Sequence, residues 1–284
     1  MTFAAGSSAD IVARALADGL TQRLGQAFVI LNRPGGGGAV GYGYLLQKPA
    51  DGYTLILSSP SVLTSYHAGI ADYNYRDLDF LGGVTVENPI VAVRADAPWR
   101  DLRELVAFAR LYPGALKVGN SGPGSQTQVA AAAFFAEQNL QPLHVPFSTA
   151  QVVTALRGGE VDAVVQLPSA ILPHVQSGSL KIIGALSSQR EPAAAAVPSA
   201  IEQGFDFHAE VWRALAGPKG LPAEVLDKLE RALRDTVEGT VFQTRGARDG
   251  FAAAFKPRGE FTASLEAEDV LVARAMSRLG ILKR

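Results

Sequence analysis

Apolar and polar positions alternate in two rhythms along this chain, one of helical period and one of short, almost wholly apolar runs. From Asp10 to Leu24, Ile11, Ala15, Leu16, Leu20 and Leu24 recur on one helical face, and Gly25 follows as a stop signal. Residues 28–31 (Phe-Val-Ile-Leu) form an unbroken apolar run, the pattern of a strand buried on both faces. A helical stretch at 41–47 leads to a strand at 53–57. Residues 80–86 and 90–94 read as a strand pair broken by a turn at Glu87-Asn88-Pro89. Residues 99–111 are helical again and end at Pro113-Gly114.

A second alternating block follows. Strands are predicted at 116–118, 143–147, 161–166 and 180–186, with helices at 128–139, 150–157 and 169–176 between them. Residues 207–216 are extended in character and can carry the chain back to the first block. From Pro222 onward the pattern is mostly helical, over 223–237, 240–249 and 259–279. This alternation predicts an α/β fold in which each lobe is a mainly parallel sheet flanked by helices. The hinge signals lie at 97–98, 113–114 and 217–222, where Pro and Gly gather. There is no tandem repeat and no low-complexity segment.

Two Gly/Ser turns stand out, each leaving a strand and opening a helix. One is Ala4-Ala5-Gly6-Ser7-Ser8; the other runs from Gly119 to Thr127 and holds Ser121, Gly124, Ser125 and Gln126. Bare N–H groups at the positive end of a helix dipole suit an anion. Both turns also read as ordinary strand–helix connections, but each carries more hydroxyls than a simple N-cap needs. Neither holds Lys or Arg, so an acid group there would meet dipoles and neutral donors.

Composition narrows the field. The chain has 284 residues and a formal net charge of −1, and 48% of its residues are hydrophobic. That suits a folded chain with one large or two ordinary domains. No basic stripe suggests nucleic acid, and the mixed charges at 227–235 read as a solvated helix face. With 0 cysteines, disulfides, thiolate metal sites and cysteine nucleophiles are excluded. No apolar run is long enough to cross a bilayer. No secretory leader is visible, and Met1-Thr2-Phe3 enters the first turn abruptly, which suggests a shortened start lacking a leader and most of a first strand.

The catalytic patterns weaken on inspection. Residues 36–41 fit G-x-G-x-x-G, but the next strand ends in Ser58-Ser59-Pro60 with no acid for a ribose, so a flexible glycine turn is the favoured reading. The segment Gly119-Asn120-Ser121-Gly122-Pro123 fails the nucleophile elbow at its last position. His67, His144, His174 and His208 are scattered without metal-ligand spacing, and His144 reads as structural. Asp51, Glu160 and Asp162 border turns and suit capping or loop roles.

In order and spacing, the chain resembles the periplasmic solute receptors of tripartite tricarboxylate transporters, often called Bug receptors. The family's opening P-F-x-P-G-G and T-D-x-x-A-R correspond to Thr2-Phe3-Ala4-Ala5-Gly6-Ser7 and Ala9-Asp10-Ile11-Val12-Ala13-Arg14. N-R-P-G-A-G-G-x-x-G is matched by 32–41, P-D-G-Y-T-L by 50–55, H-V-P-Y-K-G by 144–149 and G-x-V-D by 159–162. Trp212 with 217–222 resembles the return segment. The family places the glycine run in a turn of its fold.

The resemblance implies a two-lobed flytrap, with 1–98 and 219–284 forming lobe one, 99–218 forming lobe two, and a ligand cleft between them. It implies a small organic carboxylate as ligand, a membrane permease as partner, a monomer in the periplasm, and neither cofactor nor metal. Carried over by position, the binding residues are Phe3, Ala4, Ala5, Gly6, Ser7 and Ser8 with Ser59 and Ser61, and Ser121, Gly124, Ser125, Gln126 and Thr127 with Phe147 and Gln166. Departures occur at Ala5, Ser7, Ala9 and Gln166 and at Phe147-Ser148-Thr149, and these bear on which acid is bound. The same fold could instead serve a carboxylate-sensing module that feeds a signalling partner. An enzyme acting on small acids would need a base and a nucleophile that the motifs do not supply.

Overall fold

The computed structural model describes residues 2–123, 125–148, 151–278, 280 and 282–283. It divides into two compact units, one formed by 1–86 with 212–284 and the other by 87–211. The chain therefore passes between units at Val86/Glu87 and Val211/Trp212. The expected lobe bounds, 98/99 and 218/219, fall instead at Pro and Gly positions, which mark turns whether or not the chain changes unit there.

In the first unit α1 (Ser8–Leu24) is followed by α2 (Ala39–Leu46), β1 (Ile56–Ser58), α3 (Ser61–His67) and β2 (Leu78–Glu87). In the second, β3 (Ile90–Arg94) and α4 (Leu102–Leu111) precede β4 (Lys117–Asn120), α5 (Gln126–Glu137), β5 (Leu143–Pro146) and α6 (Gln151–Gly158). That unit ends with β6 (Ala163–Gln166), α7 (Pro168–Gln176) and β7 (Leu180–Ala185). The chain returns along β8 (Val211–Pro218) and finishes the first unit with α8 (Ala223–Val237), α9 (Thr240–Asp249), β9 (Ala252–Pro257) and α10 (Arg258–Arg278).

The predicted strand pair at 80–94 is not a pair. β2 lies in the first unit's sheet, of order β1-β8-β2-β9, and β3 in the second's, of order β5-β4-β6-β3-β7. Two apolar runs joined by a short polar break look alike whether the break is a hairpin or a crossing between sheets. In the second sheet β4 runs parallel to both β5 and β6, while β3 is antiparallel to β6 and to β7. Four strands thus share one direction, as expected, and the reversed strand is the one that enters from the other unit. The first sheet departs further from the parallel expectation: β1 pairs antiparallel with β8, and β2 antiparallel with β9. Strand β9 itself was missed, because Ala252-Ala253-Ala254 carries no strand signal in isolation. Its pairing with β2 shifts register between Gly83 and Thr85.

The run at 28–31 is not a strand, and Val29 is 77% exposed. It forms one wall of a cavity of about 570 Å³, bounded also by the apolar face of α1, by Tyr53–Leu57 and by Leu229 of α8. None of the predicted binding residues lines that cavity. Elsewhere burial follows pattern. Val12, Leu16 and Leu20 of α1 pack with Leu229 and Leu233 of α8 and Leu215 of β8. On the other side of β8, Trp212, Ala214 and Ala216 pack with Tyr42, Phe80 and Phe261. The second unit's helix α5 buries Phe134 and Phe135 against Val91, Val118 and Val165 of its sheet.

Candidate ligand-binding turns

The first turn is built around an internal carboxylate. Ser7 caps α1, its Oγ accepting from Asp10 N at 3.3 Å. The side chain of Asp10 reaches back, its Oδ2 accepting from Gly6 N at 3.0 Å and from Arg14 Nε at 2.9 Å. Its Oδ1 accepts from Asn32 Nδ2 at 2.9 Å, and that same amide donates to Phe3 O at 3.2 Å. Ser7 thus caps the helix, while Asp10 reaches past it to the preceding residue, Gly6, and Ser7 N donates to Ala4 O at 3.2 Å. Gly6 takes φ +77, which only glycine adopts cheaply. Burial by itself would raise the Asp10 carboxyl, but the hydrogen bonds from Arg14, Gly6 and Asn32 outweigh it and hold it below its ordinary value. Two of the expected ligand donors, Ser7 Oγ and Gly6 N, are thus engaged in shaping the turn. Ser8 and Ala9 open α1, at the positive end of its dipole.

Ser59 and Ser61 belong to a buried hydroxyl network. Their Oγ atoms lie 2.8 Å apart, Ser59 N donates to Tyr42 Oη at 3.2 Å, and Tyr42 Oη lies 2.8 Å from Ser58 Oγ. Burial pushes the Tyr42 phenol up, so it stays protonated. A Cβ at Gly38 would lie 3.1 Å from Ser61 Oγ and 3.2 Å from Thr2 Cβ, so the glycine turn lets the chain start approach Ser61. Arg213 on β8, 4% exposed, places its guanidinium 5.9 Å from the centre of the Phe3 ring. Neither Tyr42 nor Arg213 was anticipated: each sits within an apolar run, where periodicity shows burial but not which remote residues, Ser58 and Ser59 for Tyr42 and Phe3 for Arg213, it meets.

The second turn gathers more of its expected residues. Strands β4, β5 and β6 run side by side, and their carboxyl ends carry Asn120-Ser121, Phe147 and Gln166. That end of an α/β sheet is where ligands bind in such folds. Gln166 Nε2 donates to Ser121 Oγ at 2.7 Å, and Ser121 N to Thr127 Oγ1 at 3.0 Å. The Oγ1 of Thr127 lies 3.2 Å from Ser125 Oγ, which caps α5 by accepting from Gln128 N at 3.3 Å. Phe147 N donates to Asn120 O at 3.1 Å. Gly124 lies outside the described residues. Ser121, Ser125, Thr127 and Gln166 are therefore one hydrogen-bonded chain, with Phe147 on the neighbouring strand end. The amides of Gln126 and Thr127, first in α5, have no acceptor within the helix. Among the described residues, no group of three or more His, Asp or Glu could hold a metal ion.

Two α/β units, each opening a helix with a Ser-capped turn free of Lys and Arg, define a solute-binding protein of the two-lobed type. The chain belongs to the tripartite tricarboxylate transporter family receptors, whose family model matches residues 12–269. Among curated relatives it is 30% identical to Protein BugT of Bordetella pertussis over 267 residues, covering 90% of this chain and 82% of that protein. A solved structure of MatC from Rhodopseudomonas palustris with bound malate is 25% identical, with a TM-score of 0.84 and coverage of 99% of this chain and 97% of that one. An R. palustris protein solved with adipate is 22% identical, with a TM-score of 0.94 over 99% of this chain and 96% of that one. Members of this family are solute-binding receptors and not enzymes.

Proposed function

We propose that this chain is an extracytoplasmic receptor that captures a small organic carboxylate and delivers it to a tripartite tricarboxylate-type membrane permease. Its place of work is the periplasm, and it acts as a monomer. Each unit supplies one carboxylate-binding turn: Phe3–Ser8 with Ser59 and Ser61 in the first, and Ser121–Thr127 with Phe147 and Gln166 in the second.

The observation that carries this reading is the second turn. Its hydroxyls and the Gln166 amide are tied to one another. The first amides of α5 are thereby left as oriented, uncharged donors at the positive end of a 12-residue helix. Such a group recognises a carboxylate and needs no cation. Malate and adipate, bound by structural relatives, are the first acids to try.

The test is a thermal-shift screen of organic acids, with malate and adipate included. An acid present at ten times its dissociation constant stabilises the protein by about 1.4 kcal/mol. Mono-, di- and tricarboxylates that all leave the melting curve unmoved would sink the proposal. Delivery is tested by whether the chain restores uptake of that acid to membranes carrying the cognate permease.

A further inference from the structure

The second turn contains a donor that none of the matched motifs singles out. Asn120 ends β4 and is fully buried, and among the described residues its Nδ2 has no hydrogen-bond partner. Its Oδ1 accepts from Gly122 N at 3.2 Å, which fixes the carboxamide beneath the turn. A buried amide donor left unmade costs about 1–3 kcal/mol, so its presence calls for an explanation.

Strand alternation settles where the amide points. Val118, two residues earlier, packs with Ala130, Ala131 and Phe134 of α5. A Cβ at the intervening Gly119 would instead meet Val152, Val161 and Val164 on the opposite face. Asn120 therefore lies on the α5 side of the sheet, at the strand end where α5 begins. Ser121 and Gln166 lie on the other side, consistent with their mutual hydrogen bond. The Asn120 carboxamide and the first amides of α5 therefore share one side of the sheet and one strand end.

We propose that Asn120 is a ligand-binding residue, its Nδ2 donating to the carboxylate that the α5 amides receive. This rests on the carboxylate-receptor reading above and extends it. The donor set becomes backbone N–H groups plus one fixed side-chain amide, all uncharged, which selects an ionised carboxylate over its amide or ester. An amide's own NH2 would oppose the Asn120 donor.

The experiment compares Asn120→Asp and Asn120→Ser with the unaltered chain in calorimetric titrations against malate and adipate. In Asn120→Asp, one oxygen still accepts from Gly122 N, while the other puts a negative charge where the donor stood. Binding should fall by about a hundredfold or more near pH 8, a like-charge penalty between two facing carboxylates. Two facing carboxylates share a proton as pH falls, so the deficit relative to the unaltered chain should shrink at least about tenfold towards pH 5. In Asn120→Ser the hydroxyl keeps the turn but falls short of the ligand, and a loss of about tenfold, independent of pH, is expected.

A deficit in Asn120→Asp that does not change with pH, or affinity equal to that of the unaltered chain, overturns the inference. If circular dichroism shows Asn120→Asp unfolded, Asn120→Ser decides, and unchanged affinity there overturns it. Failure of the unaltered chain to bind any acid overturns the receptor reading and this inference together. Binding by the unaltered chain with indifferent variants overturns this inference alone.

Discussion

Replacing Asp10 with asparagine should loosen the first turn without changing its shape. The carboxylate accepts from Gly6 N, Arg14 Nε, Arg14 Nη2 and Asn32 Nδ2, and every partner is a donor. Asparagine keeps one acceptor oxygen and turns an NH2 towards two of these donors. A hydrogen bond to a charged group contributes about 1.5–3 kcal/mol. The Arg14 side chain is 50% exposed, so its pairing adds no more than about 1 kcal/mol. With partial compensation by the remaining oxygen, the expected loss is about 2–3 kcal/mol. At roughly 2.1 cal/mol/K of unfolding entropy per residue, a chain of 284 residues melting in one transition should lose about 3–5 °C.

Acid should erase the difference. Because the Asp10 carboxyl is held below its ordinary value of 3.8, the stability it contributes is complete above that pH and disappears as pH falls through the depressed folded value. Thermal melts and urea titrations of both proteins should therefore diverge near neutrality and converge well below pH 3.8. A variant within about 0.5 kcal/mol of the unaltered chain at neutral pH, or a gap that persists undiminished in acid, would refute this account of the turn.

Ser125→Ala removes the cap of α5 and should cost about 0.5–2 kcal/mol, whereas Ser125→Gly should cost only a few tenths. Urea denaturation distinguishes them, and a glycine variant as unstable as the alanine one would deny the capping role. The Gly variant should also retain its ligand-induced thermal shift, since the backbone amides remain. Tyr42→Phe strands the buried Ser59 N–H and breaks the bond with Ser58, so about 1–3 kcal/mol should be lost in the same assay. No measurable change would mean that water replaces the phenol.

Much of the hydrogen bonding in the second turn was legible because it is local. Ser125 caps the helix that begins at the next residue, and Ser121, Ser125 and Thr127 bond within a span of seven residues. Gln166 was placed correctly at a strand end, and its bond to Ser121 follows from β4 and β6 being parallel neighbours. The first turn was half legible. Its Ser and Gly were visible, but Asn32, which ties Phe3 O to Asp10, is remote in sequence and offered no signal. Arg213 and Tyr42 were hidden for the same reason.

The sequence by itself determined the alternation of helices and strands, most helix spans and the capped turns, since these depend on interactions within a few residues. Tertiary structure alone decided which strands share a sheet, and this is why the apparent hairpin at 80–94 became a crossing between units. It also decided that the apolar run at 28–31 stays outside the sheets and that the alanines at 252–254 enter one. A strand is stabilised by the backbone groups of its neighbour, and the identity of that neighbour is set by packing across the whole fold. The amide of Asn120 belongs to this second class: sequence shows an asparagine before a turn, and only the packed sheet shows that its nitrogen meets no partner among the described residues.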